Sequence, residues 1–150
     1  MSKKSIIIFS ICLIIIVSLI GCTNKNNDEN NKKSEIKKVE IMKIVINDKE
    51  YDLNIEDTIE AQDFIKNVPE ELVMQDLNSN EKYMYVDKVF MNNPINVNKI
   101  NKGDLMLYGD NCIVLFYKSF DTTYSYTKIG HINNLEDFDK KDINVKFILN

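Results

Sequence analysis

The sequence predicts a mainly β fold: a closed or nearly closed antiparallel barrel of about eight short strands with one or two short helices. Three observations lead there. Apolar residues recur with a two-residue period in several short segments between residues 41 and 150. Turn-forming residues stand at the joints between those segments, as at Asn47-Asp48 and Gly109-Asp110-Asn111. Only one stretch, from Ala61 to Val68, carries the i, i+3, i+4, i+7 spacing of an amphipathic helix. Many short strands with so little helix close most readily on themselves.

The elements follow in order. Met42, Ile44 and Ile46 alternate with Lys43 and Val45; after Asn47-Asp48, Tyr51, Leu53 and Ile55 alternate again, which makes a hairpin. Asp57 with Glu60 three residues on reads as an N-cap and capping box. It opens the helix whose stripe is Ala61, Phe64, Ile65 and Val68, and Pro69 ends it. Leu72–Leu77 and Tyr83–Phe90 read as strands, followed by an irregular Asn-rich loop around Pro94. Leu105–Tyr108 and Cys112–Tyr117 are continuous apolar runs joined by Gly109-Asp110-Asn111, a buried hairpin. Tyr126–Ile132 is a further strand in which Gly130 marks a bend, a bulge or a close backbone approach. Leu135–Phe138 is compatible with one helical turn, and Ile143, Val145, Phe147 and Leu149 alternate in the last strand.

This domain, residues 41–150, is preceded by two segments of different character. Lys3 and Lys4 introduce an apolar run from Ile6 to Ile20 broken only by Ser10 and Ser18. At 1.5 Å per residue that run reaches about 22 Å, short of the ~30 Å hydrocarbon core of a bilayer. A positive start, a short apolar region and a small residue at its end are the marks of a secretion signal. The run closes on Leu19-Ile20-Gly21-Cys22, which resembles a bacterial lipobox, with Ile20 where Ala or Ser is commoner. The resemblance implies removal of residues 1–21 and a diacylglyceryl group on the Cys22 sulfur. The expected location is therefore extracytoplasmic, with the chain held to a membrane by its lipid. Each buried CH₂ contributes about 0.8 kcal/mol, and two chains anchor durably where one does not. Residues 22–40 contain only Ile36 and Val39 as large apolar residues beyond the cysteine. Such a stretch is expected to be a disordered tether of about 23 Å.

Composition excludes several functions. The chain has 150 residues, 19 basic against 23 acidic, for a net charge of −4. Loss of Lys3 and Lys4 with the leader makes the mature charge more negative still. A net acidic chain is a poor general ligand for nucleic acid. Every basic residue is lysine, so no bidentate guanidinium is available. The single histidine, His131, precludes a multi-histidine metal centre, and neither metal nor cofactor is expected. With Cys12 in the leader and Cys22 acylated, Cys112 has no partner for an intramolecular disulfide.

The candidate ligand residues are aromatic. Phe116, Tyr117, Phe120, Tyr124 and Tyr126 lie close together, and Tyr83 with Tyr85 shares one face of a strand. They suit a groove for an extended or proline-bearing peptide, or equally a barrel core with a tyrosine-capped loop. Phe120 and Tyr124, beside the polar Asp121-Thr122-Thr123 loop, are the better groove candidates. His131, on the strand face of Thr127 and Ile129, is the only available imidazole base. A Cys112–His131 thiol dyad is conceivable, although Cys112 opens an apolar run where a thiol more often packs. Asp52, Asn54, Glu56 and Asp57 lack the glycine of a calcium loop.

The Gly103-Asp104-Leu105-Met106-Leu107-Tyr108-Gly109-Asp110 block, the Ile113–Phe120 run and the Tyr124–Ile132 strand resemble those of a family of small bacterial cyclophilin-like proteins. The resemblance spans about residues 41–149 and implies a β-barrel of some eight strands with a helix at one end. In true cyclophilins an arginine hydrogen-bonds the proline carbonyl and favours the twisted amide, lowering a barrier of ~18–20 kcal/mol. No residue here matches it. The expectation is a tethered, non-catalytic module for a peptide or protein partner. A peptidyl-prolyl isomerase and a barrel holding a small molecule in its interior are the alternatives.

Overall fold

The computed structural model describes residues 40–148. The expected leader, Cys22, the tether up to Val39, and Leu149 lie outside the described residues. Strands β1 (Glu40–Ile46) and β2 (Lys49–Ile55) pair in register from Glu40 opposite Ile55 to Ile46 opposite Lys49. Asn47 and Asp48 both take left-handed φ, 46° and 69°. That is the two-residue turn whose twist matches the flanking strands. Helix α1 (Ile59–Asn67) follows. Its N-cap is Thr58 and not the expected Asp57. Thr58 is extended (φ −135°, ψ 156°) and its hydroxyl accepts from the Ala61 amide at 3.2 Å, so the helix starts one residue later. Val68, ahead of Pro69, returns to extended backbone.

Nine more strands follow among the described residues, three of them of two residues: β3 (Glu71–Leu77), β4 (Glu81–Tyr85), β5 (Ile95–Asn96), β6 (Lys99–Ile100), β7 (Asp104–Tyr108), β8 (Cys112–Phe116), β9 (Phe120–Asp121), β10 (Ser125–Ile132) and β11 (Ile143–Ile148). The sheet runs β2-β1-β11-β3-β4-β8-β7-β10, and β10 returns to β2 through Gly130–Ile55, His131–Asn54 and Ile132–Leu53. Eight antiparallel strands thus close a barrel with no free edge, as the sequence predicts. The short β5 extends from β10, and β6 pairs with β9 over the outer wall.

Two expected elements differ. The strand read as Tyr83–Phe90 spans Glu81–Tyr85, because Tyr85 pairs with Cys112, the first residue of β8, and no partner strand extends beyond it. Val86 and Phe90 instead bond the carbonyls of Asn111 and Asp110, and Phe90 turns inward to stack 5.2 Å from Phe64. Leu135–Phe138 forms no helical turn. Asn134 has a left-handed φ of 56°, Leu135 is buried, and Phe138 packs against Tyr117 at 5.7 Å. The chain here is held by side-chain burial and not by a helical ladder.

The inward faces of all eight strands fill the barrel with residues such as Ile44, Leu53, Met74, Leu107, Ile113, Leu115, Ile129 and Phe147, with Phe64 of α1 packed among them. Neighbouring residues on three of those strands, Met106, Cys112, Val114, Phe116 and Tyr126, form a second cluster on the outer face together with Ile100 of β6. Strand β8 is therefore buried on both faces, which is why it reads as an unbroken apolar run. The interior also holds an ion pair. The fully buried Lys82 ammonium donates to Asp76 Oδ1 (2.9 Å) and to the carbonyls of Asp139 (2.5 Å) and Lys141 (2.7 Å).

Candidate functional site

The outward cluster is the floor of a groove on the barrel wall. Strand β4 alternates, so Lys82 and Met84 belong to one face while Glu81, Tyr83 and Tyr85 belong to the other. Beside them stand Cys112 and Val114 of β8, Tyr108 at the end of β7, and Tyr126 of β10, with Leu77 at the end of β3 and Asn78 of the turn after it. They enclose a cavity of about 370 Å³ with Tyr124 at its rim. A second cavity of about 390 Å³ adjoins it, lined by Asn80, Phe120 and the Asp121-Thr122-Thr123 loop. Asn78, Glu81, Tyr124 and Tyr126 line both, so the two are parts of one groove.

The aromatic residues divide sharply. Phe116 is fully buried beneath the groove, edge-on to Phe120 (5.8 Å) and Tyr126 (5.4 Å). Tyr117, its neighbour in sequence, points into the barrel, where its hydroxyl donates to Asp76 Oδ1 at 2.6 Å. Phe120 and Tyr83 are half-buried along the groove, and Tyr126 is buried in its wall. Tyr85 and Tyr124 are open to solvent, 56% and 61% exposed. The exposed rings are braced edge-to-face, Tyr85 on Tyr83 (6.0 Å, 83°) and Tyr124 on Tyr108 (6.2 Å, 90°). Burial pushes the Tyr126 phenol up to about 12, with Glu81 adding to the rise, so it remains a protonated donor.

His131 stands apart from the groove and lines neither cavity. Its expected place on the face of Thr127 and Ile129 is altered by a bulge between Lys128 and Gly130. Ile129 and Ile132, three residues apart, both enter the core, and His131 turns the other way. Its Nδ1 lies 2.9 Å from Asp104 Oδ1, whose other oxygen accepts from the Asn101 amide at 2.8 Å. The imidazole is thus tied to a loop anchor. Gly130 also makes the anticipated close approach, since a Cβ there would lie 2.6 Å from the Asn54 carbonyl oxygen. Cys112 pairs with Tyr108 at one end of β7 and His131 with Asp104 at the other, about 13 Å along the strand. They form no dyad. Burial also pushes the Cys112 thiol up, away from the thiolate, with Glu81 adding and the Tyr85 hydroxyl partly offsetting.

The groove contains a residue that the sequence did not single out. Glu81 is only 8% exposed, lines both cavities, and its carboxyl makes no hydrogen bond or ion pair among the described residues. Burial pushes its acidity down, raising its pKa, and the nearby Asp76 adds to the rise. Lys82, adjacent in the chain, faces the barrel interior and cannot reach it. A strand read from Glu81, two residues earlier than Tyr83, puts this carboxyl on the tyrosine face.

Comparison with protein-family models matches residues 44–148 to the Cyclophilin-like family. The chain belongs to that family. No curated protein and no solved structure matches it. In this cyclophilin-like domain no lysine lines either cavity, and the sequence has no arginine. The groove therefore offers ring faces, a carboxyl and amides, but no cationic donor for a carbonyl. Among the described residues no cluster of three or more His, Cys, Asp or Glu side chains is arranged to hold a metal ion. No described helix is long and apolar enough to cross a membrane.

Proposed function

We propose that the protein is an extracytoplasmic lipoprotein, held at a membrane through Cys22, whose cyclophilin-like domain binds an extended segment of a peptide or protein partner without catalysing its isomerisation. The observation that carries this reading is the groove itself: braced, solvent-facing tyrosines over a buried aromatic floor, with no cation positioned to polarise a carbonyl. Large aromatic rings lose little conformational entropy when a ligand covers them, which suits them to contact. The barrel interior is filled by side chains, so a small-molecule site inside it finds no support.

Magnetisation-exchange NMR on an Ala-Pro peptide tests the reading. Peptide resonances should shift on addition of protein while the cis–trans exchange rate stays at its uncatalysed value. Tyr124→Ala should weaken binding about tenfold, some 1.4 kcal/mol. Acceleration of exchange that disappears in Tyr124→Ala would establish the isomerase instead. The anchor has its own test. Cys22→Ser should abolish both fatty-acid labelling and the mass loss of leader removal; unchanged labelling would refute lipidation at that residue.

A further inference from the structure

We infer that the groove is built for a cationic side chain, a lysine carried on the bound segment, with its ammonium at the Glu81 carboxyl and its methylene stem between tyrosine rings. The inference rests on the peptide-binding reading above and names what that peptide must carry. Three features point to a cation. Glu81 is more than nine-tenths buried, faces both cavities, and makes no hydrogen bond or ion pair among the described residues. A carboxylate on so little exposed a residue, with no counter-charge, is partly desolvated at a cost, and elsewhere this fold offsets that cost: the ammonium of Lys82 accompanies Asp76. The adjacent Asn80, which lines the second cavity, has a buried Oδ1 atom with no hydrogen-bond partner. The polar group that the groove leaves open in both cavities, the Glu81 carboxyl, is an acceptor, and a ligand that satisfies it must donate.

The walls agree with that sign of charge. Tyr83, Tyr85, Tyr108, Tyr124 and Tyr126 surround the same cavity, and the face of an aromatic ring attracts a cation through its quadrupole. Asp121 lines the second cavity, and no lysine lines either to repel an incoming ammonium. An apolar ligand would use the rings but leave the carboxyl unsatisfied. An anionic ligand would meet Glu81 and Asp121 with like charge. Lysine combines a flexible apolar stem with a compact donor head, which matches ring walls beside a carboxyl.

Isothermal titration of the full chain at 0.15 M salt with two capped pentapeptides, Ala-Ala-Lys-Ala-Ala and the same peptide with norleucine at its centre, decides it. The lysine peptide should bind at least tenfold more tightly than the norleucine peptide. Glu81→Gln, which keeps the shape and removes the charge, should bring that ratio close to one by weakening the lysine peptide about tenfold. Equal affinities for the wild-type protein would overturn the cation site and leave the peptide groove standing. A lysine preference that survives Glu81→Gln would overturn the role of Glu81, attributing the preference to the acidic surface at large. If neither peptide binds, the groove reading falls as well.

Discussion

Lys82→Ala is expected to lower the free energy of unfolding by about 3–5 kcal/mol, the loss that follows when one partner of a buried ion pair is removed. The Lys82 side chain is fully buried, and its ammonium is shared by one carboxylate and two main-chain carbonyls that belong to distant segments of the chain. It lies 5.2 Å from the centre of the Tyr117 ring. Truncation strands the carbonyls of Asp139 and Lys141 and leaves the Asp76 carboxylate with only the Tyr117 hydroxyl and the Ser79 amide. Each stranded group costs about 1–3 kcal/mol. Lys82→Met, which retains most of the stem, separates the packing part from the charge part. Combining it with Asp76→Asn should recover much of the loss, because the uncompensated charge then disappears. Urea unfolding followed by circular dichroism measures all three variants, and a loss below about 1 kcal/mol for Lys82→Ala would show that the network is not what holds the 139–141 segment.

The same network sets an acid limb. Burial pushes the Asp76 pKa up, but the Tyr117 hydroxyl and the Lys82 ammonium outweigh it and hold the carboxyl below its ordinary 3.8. The folded state therefore binds this proton less readily than the unfolded chain. The resulting stability is present above pH 3.8 and is lost as the pH falls toward the folded value. Asp76→Asn removes that part of the pH dependence, at the cost of the ion pair at neutral pH.

Alternation made β1, β2 and β11 legible because each is an ordinary half-buried strand: Met42, Ile44 and Ile46, Tyr51, Leu53 and Ile55, and Ile143, Val145 and Phe147 all face the core. The site was less legible, for two physical reasons. The first is that neighbouring residues of a closed barrel enter different clusters. Phe116 and Tyr117 are adjacent and equally buried, yet one floors the groove and the other completes the interior network. Composition cannot separate them, since both faces of β8 are apolar. The second is that pairing decides which face a residue takes. The bulge opposite β7 turns His131 away from Ile129, and nothing in the local pattern beyond Gly130 announces it. Glu81 was hidden because Glu81-Lys82 reads as a solvated charge pair. On a strand with two buried faces, adjacent opposite charges point to opposite sides, and each must find its partner elsewhere.

Gly103→Ala should be nearly as damaging as the loss of Lys82, about 2–5 kcal/mol, and a matched substitution at Gly109 shows why. Gly103 has φ +99°, and a Cβ placed on it would sit 2.1 Å from the Ile132 carbonyl oxygen and 3.1 Å from His131 Cε1. Neither side can easily move. The Gly103 amide donates to the Phe116 carbonyl at 2.7 Å, and the Gly103 carbonyl accepts from the Ile132 amide at 2.9 Å, so the glycine bonds the ends of β8 and β10 together. The methyl thus brings a steric cost of about 1–3 kcal/mol in addition to about 1–2 kcal/mol for a left-handed L-residue. Gly109, in the β7–β8 turn, also has positive φ (+66°), but a Cβ there meets nothing within 4 Å. Gly109→Ala should therefore cost only the dihedral part, about 1–2 kcal/mol, and Gly109→Asn less, since asparagine tolerates that region. Thermal melts of the three variants separate the two contributions. If Gly103→Ala and Gly109→Ala lose the same stability, the backbone conformation and not the close approach to Ile132 is what requires glycine at 103. A larger loss at 103, with the Asp104–His131 contact weakened alongside it, would instead place the tightest packing of the barrel where the end of β10 closes against the start of β7.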